Sequence, residues 1–133
     1  MLLRALRPFT AHPEVLHAVV ALPPGDVASP PGWLADLLGG GLTVVAGGAE
    51  RSDSVAHALS ALPGACTIVL VHDAARPLVD RATIDAVIAV ARHGEGAVPA
   101  VPLGDTLKET AAPPEPPIPQ ALSNYPLPDL VAA

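Results

Sequence analysis

The chain has 133 residues, room for one domain. Half of them are hydrophobic but only 2% are aromatic (Phe9, Trp33 and Tyr125), so its core must be built from Ala, Val, Leu and Ile, a mix that suits buried strands flanked by helices. A net charge of −6 argues against nucleic acid as a partner, the single Cys66 excludes an internal disulfide or a multi-cysteine zinc site, and no 18-residue apolar run is present to span a membrane.

These features fit a reduced, cytoplasmic setting. Arg4 and Arg7 interrupt the apolar N-terminus, which does not read as a signal peptide. A site for one small phosphorylated ligand remains open, because it needs only a few donors.

Leu2, Leu3, Leu6 and Phe9 stand near helical spacing, and Pro8 and Pro13 limit that helix to a short one. Residues 16–22 (LHAVVAL) predict a buried strand, closed by a loop at 23–26. A short helix over 31–38, with Pro31 in its first turn, ends at Gly39-Gly40-Gly41. Residues 42–46 predict a second strand and Gly47-Gly48 a turn. Ser52 or Asp53 then caps a helix running to about Leu62, with Val55, Ala58, Leu59 and Leu62 inward.

Residues 67–71 (TIVLV) make the strongest strand pattern, followed by a loop from His72 to Pro77. Asp80 caps a helix to about Arg92, with Ile84, Val87, Ile88 and Ala91 on one stripe. A last strand is expected near 96–101. Residues 1–110 thus read as the folded domain. Residues 113–128 hold seven prolines, so 111–133 read as an extended or disordered tail.

Strands alternating with helices predict an α/β fold with a mostly parallel sheet, and ligands bind beyond the carboxyl ends of such strands. Three segments fall there: Gly47–Ser54, His72–Pro77 and Leu103–Thr106. Gly47-Gly48 permits close backbone approach, and Arg51 with the start of the following helix adds positive potential. An ordinary strand-to-helix turn explains the same residues. Asp73 suits Mg²⁺ and Arg76 suits a phosphate, yet a local Asp–Arg pair that fixes the loop is an equal alternative. Asp105, Thr106 and Lys108 offer a carboxylate, a hydroxyl and an ammonium, or simply a polar edge strand.

Other constellations carry less. Asp53, Ser54 and His57 share one helix and cannot converge as a triad. His12 and His17 lack a metal-binding framework. Cys66 reads as a buried apolar residue at a strand entrance.

The stretches VVAGGAERSDSVAHAL (44–59), VLVHDAARPLV (69–79) and VPLGDTLKE (101–109) resemble the 2-C-methyl-D-erythritol 4-phosphate cytidylyltransferases of the non-mevalonate isoprenoid pathway. The resemblance runs from about residue 2 to 109. It implies a Rossmann-like nucleotidyltransferase fold and transfer of CMP from CTP to methylerythritol phosphate with Mg²⁺, pyrophosphate leaving. It places Gly48, Ala49 and Ser54 around cytosine and ribose, and Asp73 and Ala74 beside nucleotide and metal. Arg76 and Thr106 fall at methylerythritol phosphate, with Asp73 and Arg76 as the catalytic pair. A homodimer is a further property of the family.

Family members begin with a strand, a glycine-rich loop and a Pro-Lys-Gln segment, whereas this sequence starts at the following helix. Of the family's later Thr-Pro-Gln segment only Pro119-Gln120 is similar. The resemblance therefore implies a partial sheet with its first strand missing, a gap between strands 16–22 and 67–71, and no appreciable transfer activity. A non-catalytic fragment or a small α/β ligand-binding module is the alternative.

Overall fold

The computed structural model describes residues 1–102 and 129–132. Five helices and four strands lie in these segments: α1 (Leu2–Thr10), β1 (Ala18–Leu22), α2 (Pro24–Val27), α3 (Gly32–Ala35), β2 (Leu42–Ala46), α4 (Arg51–Ser60), β3 (Leu70–Asp73), α5 (Arg81–Ala91) and β4 (Asp129–Ala132). The sheet order is β2-β1-β4-β3. β1 and β2 pair in parallel, and β4 runs antiparallel to both β1 and β3. The three strands that precede the helices therefore share one direction, as expected for an α/β fold.

β1 is buried on both faces, which is why its sequence AVVAL is a continuous apolar run rather than an alternation. Ala18, Val20 and Leu22 point to one layer, with Leu6 and Phe9 of α1, Leu34 of α3 and Ile84 and Ile88 of α5. Val19 points to the other layer, where it meets Ala58 of α4, flanked by Val45 and Leu62. The core is thus aliphatic on both sides, with Phe9 its one buried aromatic among the described residues.

Several expectations change. Residues 96–101 form no strand: Pro99 and Pro102 lack the N–H groups a ladder needs, and Val98 and Val101 are exposed. The fourth strand comes instead from 129–132, inside the region read as a tail; the rest of that tail lies outside the described residues. The strand placed at 67–71 begins later, at Leu70, because β4 supplies four partners in register with 70–73. Residues 24–27 make a helical turn, with Pro24 at its start where no N–H is required.

The cap of α4 is Glu50, which exchanges bonds with Asp53 in a capping box, rather than Ser52 or Asp53. Leu59, expected inward, is 42% exposed. Asp80 caps α5 as read, accepting from the Thr83 N–H at 2.8 Å. The expected gap between the first and third strands is filled: β1 and β3 do not pair with each other, and β4 lies between them.

Candidate functional site

The parallel strands end together at Leu22, Ala46 and Asp73. Beyond β2 the chain turns sharply into α4. The Gly47 N–H donates to the Leu22 carbonyl at 2.8 Å, continuing the ladder by one bond. The Gly48 N–H donates to Ser54 Oγ at 3.1 Å, and the Glu50 N–H to Asp53 Oδ2 at 3.0 Å. A Cβ on Gly48 would stand 2.1 Å from the Asp53 Cβ, so only glycine allows the turn to close this tightly on the helix. His57 Nδ1 lies 2.9 Å from the Ala46 carbonyl. A carbonyl only accepts, so this nitrogen carries the proton.

This packing places Arg51, the first residue of α4, over the end of β3. Its Nη2 donates to Asp73 Oδ1, while Arg76 Nε donates to Asp73 Oδ2 at 3.1 Å. The Arg76 N–H also donates to the Asp73 carbonyl at 2.9 Å, making the loop after β3 a tight turn. His72 Nε2 donates to the Arg76 carbonyl at 2.9 Å and stacks at a tilt on Phe9, 5.0 Å between ring centres. Ala74 is buried beneath the turn. The result is a cleft of about 470 Å³ lined by Arg51, Asp73 and Arg76 together with Pro77, Leu78 and Val98. Two guanidiniums thus reach the Asp73 carboxylate, one at each oxygen.

Asp73 and Arg76 line this cleft. Gly48, Ala49 and Ser54 lie at the same carboxyl edge of the sheet, linked to it by the Arg51–Asp73 bond, but are not among its lining residues. Thr106, with Asp105 and Lys108, lies outside the described residues. Ser54 is not a free hydroxyl: it accepts from Gly48 and donates to the Glu50 carbonyl at 3.4 Å. From the sequence alone Arg51 contributes only positive potential. Its partner is 22 residues away, a pairing that local sequence does not signal.

A second cluster was missed. His12 is not near a metal pair with His17, whose Nε2 bonds Thr43 Oγ1 at 2.8 Å. It is buried, and with Glu14 and Asp85 it forms a group whose polar atoms lie within 4.8 Å of one another. Its Nδ1 accepts the Glu14 N–H at 3.2 Å and its Nε2 donates to Asp85 Oδ1 at 2.8 Å. Both ring nitrogens are used, so no lone pair remains for a metal. The cluster ties α5 to the turn after α1. The His12 N–H, with Arg81 assisting, holds the Asp85 carboxyl below its ordinary value. Cys66 is half-buried rather than buried.

Comparison with known proteins identifies the family. The family model for 2-C-methyl-D-erythritol 4-phosphate cytidylyltransferase matches residues 1–114. The chain belongs to that family. It is 48% identical over 113 residues to the cytidylyltransferase of Frankia casuarinae, 84% of this chain and 41% of that protein. It is 46% identical over 109 residues to that of Salinibacter ruber, 81% of this chain and 46% of the relative. The Streptomyces coelicolor protein matches at 48% over 123 residues, 87% of this chain and 46% of its own length. The chain thus spans less than half the length of these curated relatives. Among the described residues no helix is long and apolar enough to cross a membrane.

Proposed function

We propose that this chain supplies part of a cytidylyltransferase site. The reaction moves CMP from CTP to 2-C-methyl-D-erythritol 4-phosphate, in the cytoplasm, toward isoprenoid precursors. A phosphate oxygen of methylerythritol phosphate attacks the α-phosphorus of CTP. The bond from that phosphorus to the β-bridging oxygen breaks, and pyrophosphate leaves with the electron pair. The observation that carries the reading is the Arg51–Asp73–Arg76 cluster at the carboxyl edge of the parallel strands. Family membership supplies the substrates.

In this reading Arg76 turns from Asp73 to the phosphate of methylerythritol phosphate, its planar fork matching two phosphate oxygens. Thr106 completes that contact. Gly48 and Ala49 present backbone to the cytidine. Ser54, bound to the Gly48 N–H, holds that backbone in place. Ala74, buried under the turn, keeps Asp73 at the cleft. Mg²⁺ is ordinarily held by one or two carboxylates plus substrate phosphates, and Asp73 is the residue that fits this role once nucleotide draws the guanidiniums away. When bound, Mg²⁺ spreads the charge of the phosphoryl oxygens.

The described cleft offers two guanidiniums, both engaged with Asp73, to a triphosphate that carries several charges. Losing one transition-state donor costs roughly 10²–10³ in rate. The 133-residue chain by itself is therefore expected to bind methylerythritol phosphate and release pyrophosphate from CTP only at background. The same engagement of both Asp73 oxygens favours a second reading, a ligand-binding module in which the pair staples the loop. Calorimetry with methylerythritol phosphate and a pyrophosphate-release assay separate the two. Binding lost in Arg76→Ala supports the substrate site. Binding unchanged in Arg76→Ala overturns it, and turnover equal to that of a full-length relative overturns the expected inactivity.

A further inference from the structure

Arg76 has a side chain that is 77% exposed, so packing does not aim it. Its side-chain bond to Asp73 opens when a phosphate takes the guanidinium. Three constraints on its backbone survive that exchange. The Arg76 N–H donates to the Asp73 carbonyl at 2.9 Å. Pro77 follows, and a proline restricts the backbone of the residue before it. The Arg76 carbonyl accepts from His72 Nε2, also at 2.9 Å. A carbonyl only accepts, so that nitrogen carries the proton.

We propose that His72 is a positioning residue for Arg76: its Nε2–H holds the Arg76 carbonyl, so that the guanidinium stays aimed into the cleft when it leaves Asp73 for a phosphate. The inference rests on the substrate reading of Arg76 given above. His72 suits the task because it is itself fixed from two sides. Its backbone belongs to β3, one residue before Asp73. Its half-buried ring lies at 46° to the Phe9 ring, with centres 5.0 Å apart, a tilted arrangement that aromatic pairs favour. Phe9 is 3% exposed and belongs to the larger core. The imidazole therefore links a core side chain of α1 to the backbone of an exposed loop. An arginine whose backbone is already fixed loses less freedom on binding, so the His72 bond acts on affinity through Arg76 without touching the phosphate.

Three full-chain variants test this. His72→Phe keeps a ring against Phe9 and removes the donor. His72→Gln places an amide N–H near the position of Nε2, and His72→Asn carries the same group one carbon too short to reach. Without ligand, the Arg76 amide should exchange roughly three- to tenfold faster in His72→Phe and His72→Asn, about one hydrogen bond's worth, and near the wild-type rate in His72→Gln. Unchanged Arg76 exchange in His72→Phe overturns the proposal. By calorimetry, methylerythritol phosphate should bind roughly three- to tenfold more weakly to His72→Phe and His72→Asn, with His72→Gln restoring the affinity. A merely structural His72 would instead shift the urea midpoint of all three variants and leave the affinity of the folded protein alone, which overturns the role. Full-strength binding to His72→Phe, with binding still lost in Arg76→Ala, overturns the positioning role alone. No binding by the wild type, or binding that Arg76→Ala leaves intact, overturns the substrate site and the positioning role together. If His72→Phe does not fold, the His72→Gln and His72→Asn pair decides: equal affinity in the two overturns the proposal, and tighter binding by His72→Gln supports it.

Discussion

Gly48 shows how local packing decides what a residue type means. Its missing side chain is needed by the protein itself, because a methyl there would collide with the Asp53 Cβ at 2.1 Å. Gly48→Ala is expected to destabilise by about 1–3 kcal/mol, read from the urea midpoint at constant slope. Gly64→Ala, with nothing within 4 Å of the added carbon, should be neutral or slightly stabilising. Arg76 behaves in the opposite way. Its side chain is 77% exposed, so its bond to Asp73 contributes less than about 1 kcal/mol. Arg76→Ala should leave the melt almost unchanged while abolishing phosphate binding by calorimetry. A loss of both together would mark Arg76 as a structural staple. The two segments that carry these residues were legible because turn residues punctuate them at strand ends. The bond that joins them was not, since Arg51 finds Asp73 only after two strands and a helix have packed.

At the scale of elements, legibility followed how strongly each end was marked. Asp80 is followed three residues later by the Thr83 N–H that it accepts, and the helix begins where the side chain says it should. At α4 the cap moved to Glu50, because a reciprocal box with Asp53 satisfies two donors where Ser52 would satisfy one. The strand expected at 96–101 failed on its prolines, and β4 was hidden because prolines precede it and Asp129 and Ala132 are poor strand formers. Contacts between elements are equally invisible locally, as with the His12–Asp85 bond between the α1 turn and α5. It has a pH consequence. Asp85 is held below its ordinary 3.8 by the His12 N–H and then by Arg81, so the folded state favours the ionised form. A lowered carboxyl contributes stability above the unfolded value and loses it as pH falls through the folded value. Urea unfolding from about pH 6 to pH 2 should therefore show wild type more stable than Asp85→Asn at the upper end, the gap narrowing below 3.8. A gap that stays constant across that range would mean the bond does not depend on the carboxylate.

For the molecule as a whole, the sheet separates two tasks. One face gathers α1, α3 and α5 into the larger core, the other seats α4 alone, and the shared carboxyl edge collects charge from both. Arg51 comes from α4 on one face, and Asp73 and Arg76 from the loop that leads to α5 on the other. A phosphate held between them would cross-link the two layers, so its binding should register as global stability. A ligand that binds only the folded state at about a hundredfold over its Kd adds about 2.7 kcal/mol. Each kcal/mol moves the melting temperature of a domain this small by roughly 4–8 °C. Saturating methylerythritol phosphate should thus raise the midpoint by on the order of 10 °C. Methylerythritol without its phosphate should not, because the described lining pairs two guanidiniums with mostly apolar neighbours and holds no hydroxyl side chain. Arg76→Ala should erase the shift and Arg51→Ala should reduce it. Equal shifts from the phosphorylated and unphosphorylated compounds would show that the arginine pair does not read phosphate at all, and would assign the cluster to holding α4 against the end of β3.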